Sequence, residues 1–211
     1  MSARPAVADL VPALQLLAAL GCVLLVSFGY LVIGLFALTI LAAAWPPAVP
    51  WRPVAALRVL LVYVPFAVVW LLGVALYLRV AHGFGYTVPV QPQLAEIAAK
   101  GTSTPDLPWV CVGIVFVAPL AEEILFRGYL FTALLRVLPS WATQLATAVV
   151  FGLVHGLHYA LPIGALALLF GWLRARHGAL LPSVLAHTVH NALTVAFALS
   201  WPQHLDLLYP K

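Results

Sequence analysis

Three charged residues stand in the stretch "PLAEEILFRGYLF", residues 119–131: Glu122, Glu123 and Arg127. Everything around them is apolar. A charge at the centre of a bilayer costs roughly 2.5–3.5 kcal/mol on insertion scales, so ionisable groups kept there default to function or to pairing. Helical spacing divides the three. Glu123 and Arg127 are at i, i+4 with the acid on the N-terminal side, the favoured orientation for an ion pair. Glu122 is about 100° away around the same helix and cannot share that pairing equally. One carboxylate is left over.

Histidine supplies possible partners. Four of the seven histidines, His155, His158, His187 and His190, lie in or at the ends of apolar runs. In "FGLVHGLH" Phe151 and His155 share one helical face. In "AHTVHN" His187 and Asn191 are one turn apart. A single histidine on an apolar face is ordinarily a hydrogen-bonded core residue. Four on two runs, beside a spare carboxylate on a third, fit chemistry better. A glutamate with two histidines can act as a general base with electrophilic partners. The same set is also a recognised zinc arrangement, two imidazoles and a carboxylate with a position left open. Asn191 can donate to an oxyanion, fix the His187 tautomer, or simply join helices.

The missing motifs narrow the field. There is no G-x-S-x-G and no H-E-x-x-H, and the aspartates (Asp9, Asp106, Asp206) all lie outside the apolar runs. A serine elbow, the usual helix-borne zinc protease motif and an intramembrane aspartyl dyad are therefore excluded.

Elements of membrane type must position these groups. The chain is 64% hydrophobic and 8% charged, against about 25% charged in a soluble domain. This implies an all-α polytopic membrane protein, a single bundle over residues 1–211. The apolar runs are 10–44, 54–80, 109–138, 141–157, 161–175 and 179–199. These make six spans, or seven if 10–44 divides near Gly29 or Gly34. The first run is too long for a cleaved signal peptide and is expected to be retained. Residues 45–53 ("WPPAVPWRP") read as a proline-rich loop with interfacial Trp45 and Trp51. Pro65 is expected to kink its span. "QLAEIAAK", in the polar stretch 81–108, reads as a short surface helix. Cys22 and Cys111 read as small buried hydrophobes.

With this map Arg52, Arg58, Arg136, Arg174 and Arg176 fall on one side, which the positive-inside rule makes cytoplasmic. Arg79, Lys100 and Lys211 fall on the other. Lys and Arg are not clustered as nucleic acid would require, so the expected surroundings are lipid and a membrane-associated substrate.

The order E-E-x-x-x-R (Glu122, Glu123, Arg127), F-x-x-x-H (Phe151, His155) and H-x-x-x-N (His187, Asn191) resembles the CPBP family of intramembrane proteases, which takes in CaaX-processing endoproteases and bacteriocin-processing and self-immunity proteins. The resemblance covers roughly residues 110–198. Residues 1–107 carry no family signature, and residues 108–199 form the expected catalytic core. The resemblance implies a helical bundle with a water-accessible polar cavity in the membrane. It implies that Glu122 activates water with His155 assisting, and that His187 and Asn191 stabilise the oxyanion. Glu123 and Arg127 would then support the site and Phe151 would shape it. It leaves the metal question open: a metal-dependent form would use Glu122, His155 and His187 to hold zinc. The alternatives are a non-catalytic scaffold or self-immunity protein of the same family, and a proton-coupled transporter. The Ala-, Leu- and Pro-rich composition points to a bacterial inner membrane.

Overall fold

The computed structural model describes residues 7–27, 31–101, 105–205 and 209, and among these the regular structure is helical throughout. The helices are α1 (Val7–Ser27), α2 (Leu31–Ala44), α3 (Ala56–Gly83), α4 (Pro92–Lys100), α5 (Leu107–Leu134), α6 (Ser140–Val154), α7 (Ala160–His177) and α8 (Leu181–Ser200). Two of them, α3 and α5, are long and apolar enough to cross a bilayer, with 18-residue windows of mean hydropathy 2.6 and 2.0.

The first apolar run is two helices. Ala19 and Cys22 of α1 share a buried cluster with Leu38 and Leu41 of α2. In one continuous helix Ala19 and Leu38 would stand about 28 Å apart, so the chain must double back between them. Gly34 does not break the helix; it lies within α2. Gly29 lies outside the described residues.

α3 runs unbroken through Pro65. Its residues Leu57, Leu61, Val64, Val68, Leu72 and Leu76 are all exposed and recur every three or four positions, which makes one outward apolar stripe. Water would penalise such a stripe and lipid covers it. The opposite face of α3 packs through Val59 and Tyr63 on α7 and α8. The short helix α4 is not simply a surface element. Leu94 and Ile97 are buried together with Val115 of α5 and Val195 and Ala198 of α8.

α6 and α7 form the tightest hairpin, and glycine makes it possible. A Cβ on Gly152 would fall 2.2 Å from the Ala160 carbonyl oxygen. Small residues let two backbones approach where hydrophobic burial gives no drive between helices. α7 ends on Gly178 in the left-handed region, where glycine costs least.

The loops carrying the arginines meet at one end of the bundle. Leu180 N–H bonds the Pro50 carbonyl, and the Arg174 guanidinium reaches from the last turn of α7 to Thr132 Oγ1 near the end of α5. Trp45 and Trp51 are exposed at this end, while Tyr129 of α5 donates to the Trp45 carbonyl at 2.8 Å.

Candidate active site

α5 carries the two glutamates, and it is not a uniform α-helix. Gly113–Val117 and Ile124–Leu130 are π-helical and flank the α-helical stretch Ala118–Glu123. Such π segments recur at functional sites because they re-aim side chains and free backbone groups. The cause of the first is visible in the sequence. Ala118 N–H bonds the Gly113 carbonyl, and Pro119 has no N–H to offer. The Ile114 carbonyl therefore loses the donors from both following positions. Asn191 of α8 replaces them, donating from Nδ2 at 2.8 Å.

Glu123 and Arg127 are both fully buried and joined at 3.0 Å. The guanidinium also donates to the Ala167 carbonyl of α7 at 2.9 Å and lies over the rings of Phe151 and Phe170, 4.6 and 5.4 Å from their centroids. A charge this deep persists only when its donors and its counter-ion are arranged around it. Glu123 has a second partner that helical spacing does not reveal, because it is 64 residues away. His187 Nδ1 donates to Glu123 Oε1 at 3.0 Å, while the His187 ring stacks on Phe170 at 4.6 Å.

Glu122 is set differently. Its side chain is 30% exposed, and Oε2 stands 3.8 Å from His155 Nε2 and 3.8 Å from His187 Nε2. These separations are too long for direct hydrogen bonds, and Oε2 is a buried atom with no hydrogen-bond partner. The two rings are held alike. His155 Nδ1 faces the Phe151 carbonyl at 2.7 Å, as His187 Nδ1 faces the Glu123 carboxylate. Both partners only accept, so each Nδ1 carries the hydrogen. In the neutral rings each Nε2 lone pair is then directed at the Glu122 side. Three acceptors converge, and whatever joins them must donate protons or be a cation.

His155 caps the end of α6, yet it meets a carboxylate from the middle of α5. The lengths reconcile this. α6 has 15 residues and rises about 22 Å, short of the roughly 30 Å of a bilayer's apolar core. Its end, not its middle, comes to the depth of Glu122. The turn that follows, residues 155–159, is fastened by tyrosines. Tyr77 donates to the His158 carbonyl at 3.0 Å, Tyr86 hydroxyl bonds His158 Nδ1, and Tyr159 donates to the Pro89 carbonyl at 3.1 Å. Sequence reasoning gave His158 no role. A tyrosine-rich stretch opposite a short histidine turn was the only signal for one.

His190, also unassigned from sequence, points away from Glu122. Its Nδ1 meets Tyr63 hydroxyl at 3.1 Å, and Trp70 packs edge-on at 4.8 Å. The structure thus gathers Glu122, His155 and His187 directly, with Glu123, Arg127 and Phe151 behind them. Asn191 is anchored one turn beyond His187. A cavity of about 180 Å³ lined by Gln15, Thr132 and Arg136 among others includes none of these residues.

The donor set Glu122, His155 and His187 has the chemistry of a zinc site, and the Glu123–His187 contact is the carboxylate support such ligands use. Its spacing is wider than that of a formed shell. Tetrahedral zinc at about 2.05 Å holds ligand atoms roughly 3.3 Å apart. Among the described residues no three His, Cys, Asp or Glu side chains are placed to hold a metal ion.

A helical, lipid-facing chain that brings a carboxylate and two imidazoles together among its helices is a membrane protein with a polar cluster between its helices. Comparison with known proteins finds likeness over part of the chain. Residues 104–193 match the family model described as Rce1-like, type II CAAX prenyl endopeptidase. It is also 25% identical over 130 residues to the UPF0177 protein YxdF of Lactococcus lactis subsp. lactis, which spans 58% of this chain and 72% of that protein. No solved structure matches.

Proposed function

We propose that the chain is an intramembrane endopeptidase of the bacterial inner membrane, acting on a membrane-associated or exported peptide or protein through water activated by Glu122. The observation that carries this reading is the convergence of Glu122 Oε2, without a hydrogen-bond partner, with two imidazole Nε2 atoms each 3.8 Å away. A water molecule there donates one hydrogen to Glu122 and the other to His155. Glu122 takes the proton as the water oxygen attacks the peptide carbonyl carbon, and later delivers it to the leaving amine.

The oxyanion falls to α8. Asn191 spends one of its two Nδ2 hydrogens on Ile114 and offers the other. His187, whose Nδ1–H is held by Glu123, donates from Nε2 only as an imidazolium, and Glu123 is the group that stabilises that cation. Preorganised donors of this kind are each worth about 10²–10³ in rate. In this reading residues 1–211 form one transmembrane domain of six or seven spans, and residues 108–199 are its catalytic core. If a metal takes part, Glu122, His155 and His187 would hold zinc, which would supply Lewis acidity to the same water.

The test is cleavage of a peptide library by purified protein, with wild type beside Glu122→Gln and chelator beside added zinc. Glu122→Gln is expected to abolish cleavage, and cleavage that survives the substitution removes Glu122 from the chemistry. Loss on chelation with recovery on zinc assigns the metal form; indifference to chelator assigns the glutamate form. The second reading is a non-catalytic scaffold or self-immunity protein of the same family. It predicts no cleavage by wild type and full biological activity in Glu122→Ala and His187→Ala.

A further inference from the structure

The proline that opens "PLAEE" does more than precede the glutamates. An internal proline removes one helical donor and forces the carbonyls before it to find other partners. In α5 the consequence is specific. Ala118 N–H is drawn back to the Gly113 carbonyl, Pro119 contributes none, and the Ile114 carbonyl turns to α8, where Asn191 Nδ2 meets it at 2.8 Å. Pro119 is itself buried. Asn191 lies one turn beyond His187, whose own ring is fixed by Glu123 at 3.0 Å. The amide is thereby held at one hydrogen, with its second N–H and its carbonyl oxygen in a fixed direction.

We infer that Pro119 is a positioning residue for Asn191: by withholding its N–H it keeps the Ile114 carbonyl free to anchor the Asn191 amide, which aims the second Nδ2 hydrogen at the oxyanion. This deepens the reading of the same site as a protease and rests on it. Pro119→Ala restores an N–H in the helix interior. Alanine is the best helix former, so the variant folds, and its new donor competes with Asn191 for the carbonyl.

Two measurements on the full-length protein in detergent test the inference. The first is the side-chain amide resonance of ¹⁵N-labelled Asn191, assigned by its loss in Asn191→Ala. In Pro119→Ala it is expected to move upfield, as a released hydrogen bond requires; an unmoved resonance overturns the anchor. The second is a double-mutant cycle on cleavage. Pro119→Ala is expected to lower kcat about 5- to 10-fold with KM within about 2-fold, a hydrogen bond's worth of alignment in the transition state. In the Asn191→Ala background the same substitution is expected to cost nothing further. Additive losses, or a change confined to KM, overturn the link to Asn191. If wild type cleaves no peptide, the protease reading fails, and the resonance alone decides whether Pro119 governs the amide.

Discussion

Two adjacent residues of α5 face two different environments. Glu123 is fully buried, held by Arg127 and His187 at 3.0 Å each, and walled by the rings that flank the guanidinium. Glu122 is partly exposed, and its Oε2 has no hydrogen-bond partner. Glu123 Oε2 is also a buried atom without a hydrogen-bond partner, so the difference lies in the counter-ion: Arg127 touches Glu123, whereas the imidazoles stand 3.8 Å from Glu122. The contrast teaches that a buried carboxylate is kept in a membrane protein by a counter-ion in direct contact, and that a carboxylate without one is the one to examine for chemistry. Neither property belongs to glutamate as a residue type; each comes from the neighbours that a 100° rotation brings in.

Substitutions can break this contrast in order of expected effect. Glu122→Gln is expected to lower cleavage by on the order of 10³-fold, as loss of a general base does, while leaving the unfolding midpoint in denaturant unchanged. Equal loss of stability in this variant would mean the two glutamates are alike after all. Arg127→Ala strands the Glu123 charge and is expected to cost about 3–5 kcal/mol of stability. Arg127→Leu with Glu123→Leu removes both charges and is expected to recover much of it, read from the same unfolding curves. The mildest change, Tyr86→Phe, leaves the carboxylates untouched and removes one hydrogen bond from the turn beyond His155. It is expected to lower kcat about 3- to 5-fold, in line with roughly 1 kcal/mol for one bond. A steady-state assay with no change in kcat would separate that turn from the Glu122 side of the contrast.

Part of this arrangement was legible in the sequence. The i, i+4 spacing puts Glu123 and Arg127 on one face, and the order of the three motifs marks the helices that carry the site. The partner of Glu123 on α8 was not legible, because spacing along one helix says nothing of a residue 64 positions on. The depth of His155 was not legible, since the apolar run 141–157 looks longer than the 15 residues that are helical. The hairpin of α1 and α2 was left open for a related reason: no polar turn interrupts residues 10–44, and only packing of Ala19 and Cys22 against Leu38 and Leu41 reveals it. The π segments were invisible to apolar periodicity. Pro119 was in plain view, but its effect depends on an asparagine that another helix brings to the carbonyl it frees.

The short α6 has a consequence for the lipid around it. A helix about 22 Å long leaves several ångströms of the apolar slab unmatched. If α6 is one of the spans, lipids beside it must compress or headgroups must dip toward its end, each at a fraction of a kcal/mol per ångström. The distance from headgroups to the Glu122 carboxylate is then set by acyl-chain length as well as by the protein. If the proposed cleavage takes place there, a thinner membrane brings a peptide bond to the site with less apolar chain to cross, and bilayer thickness becomes a selector of substrates.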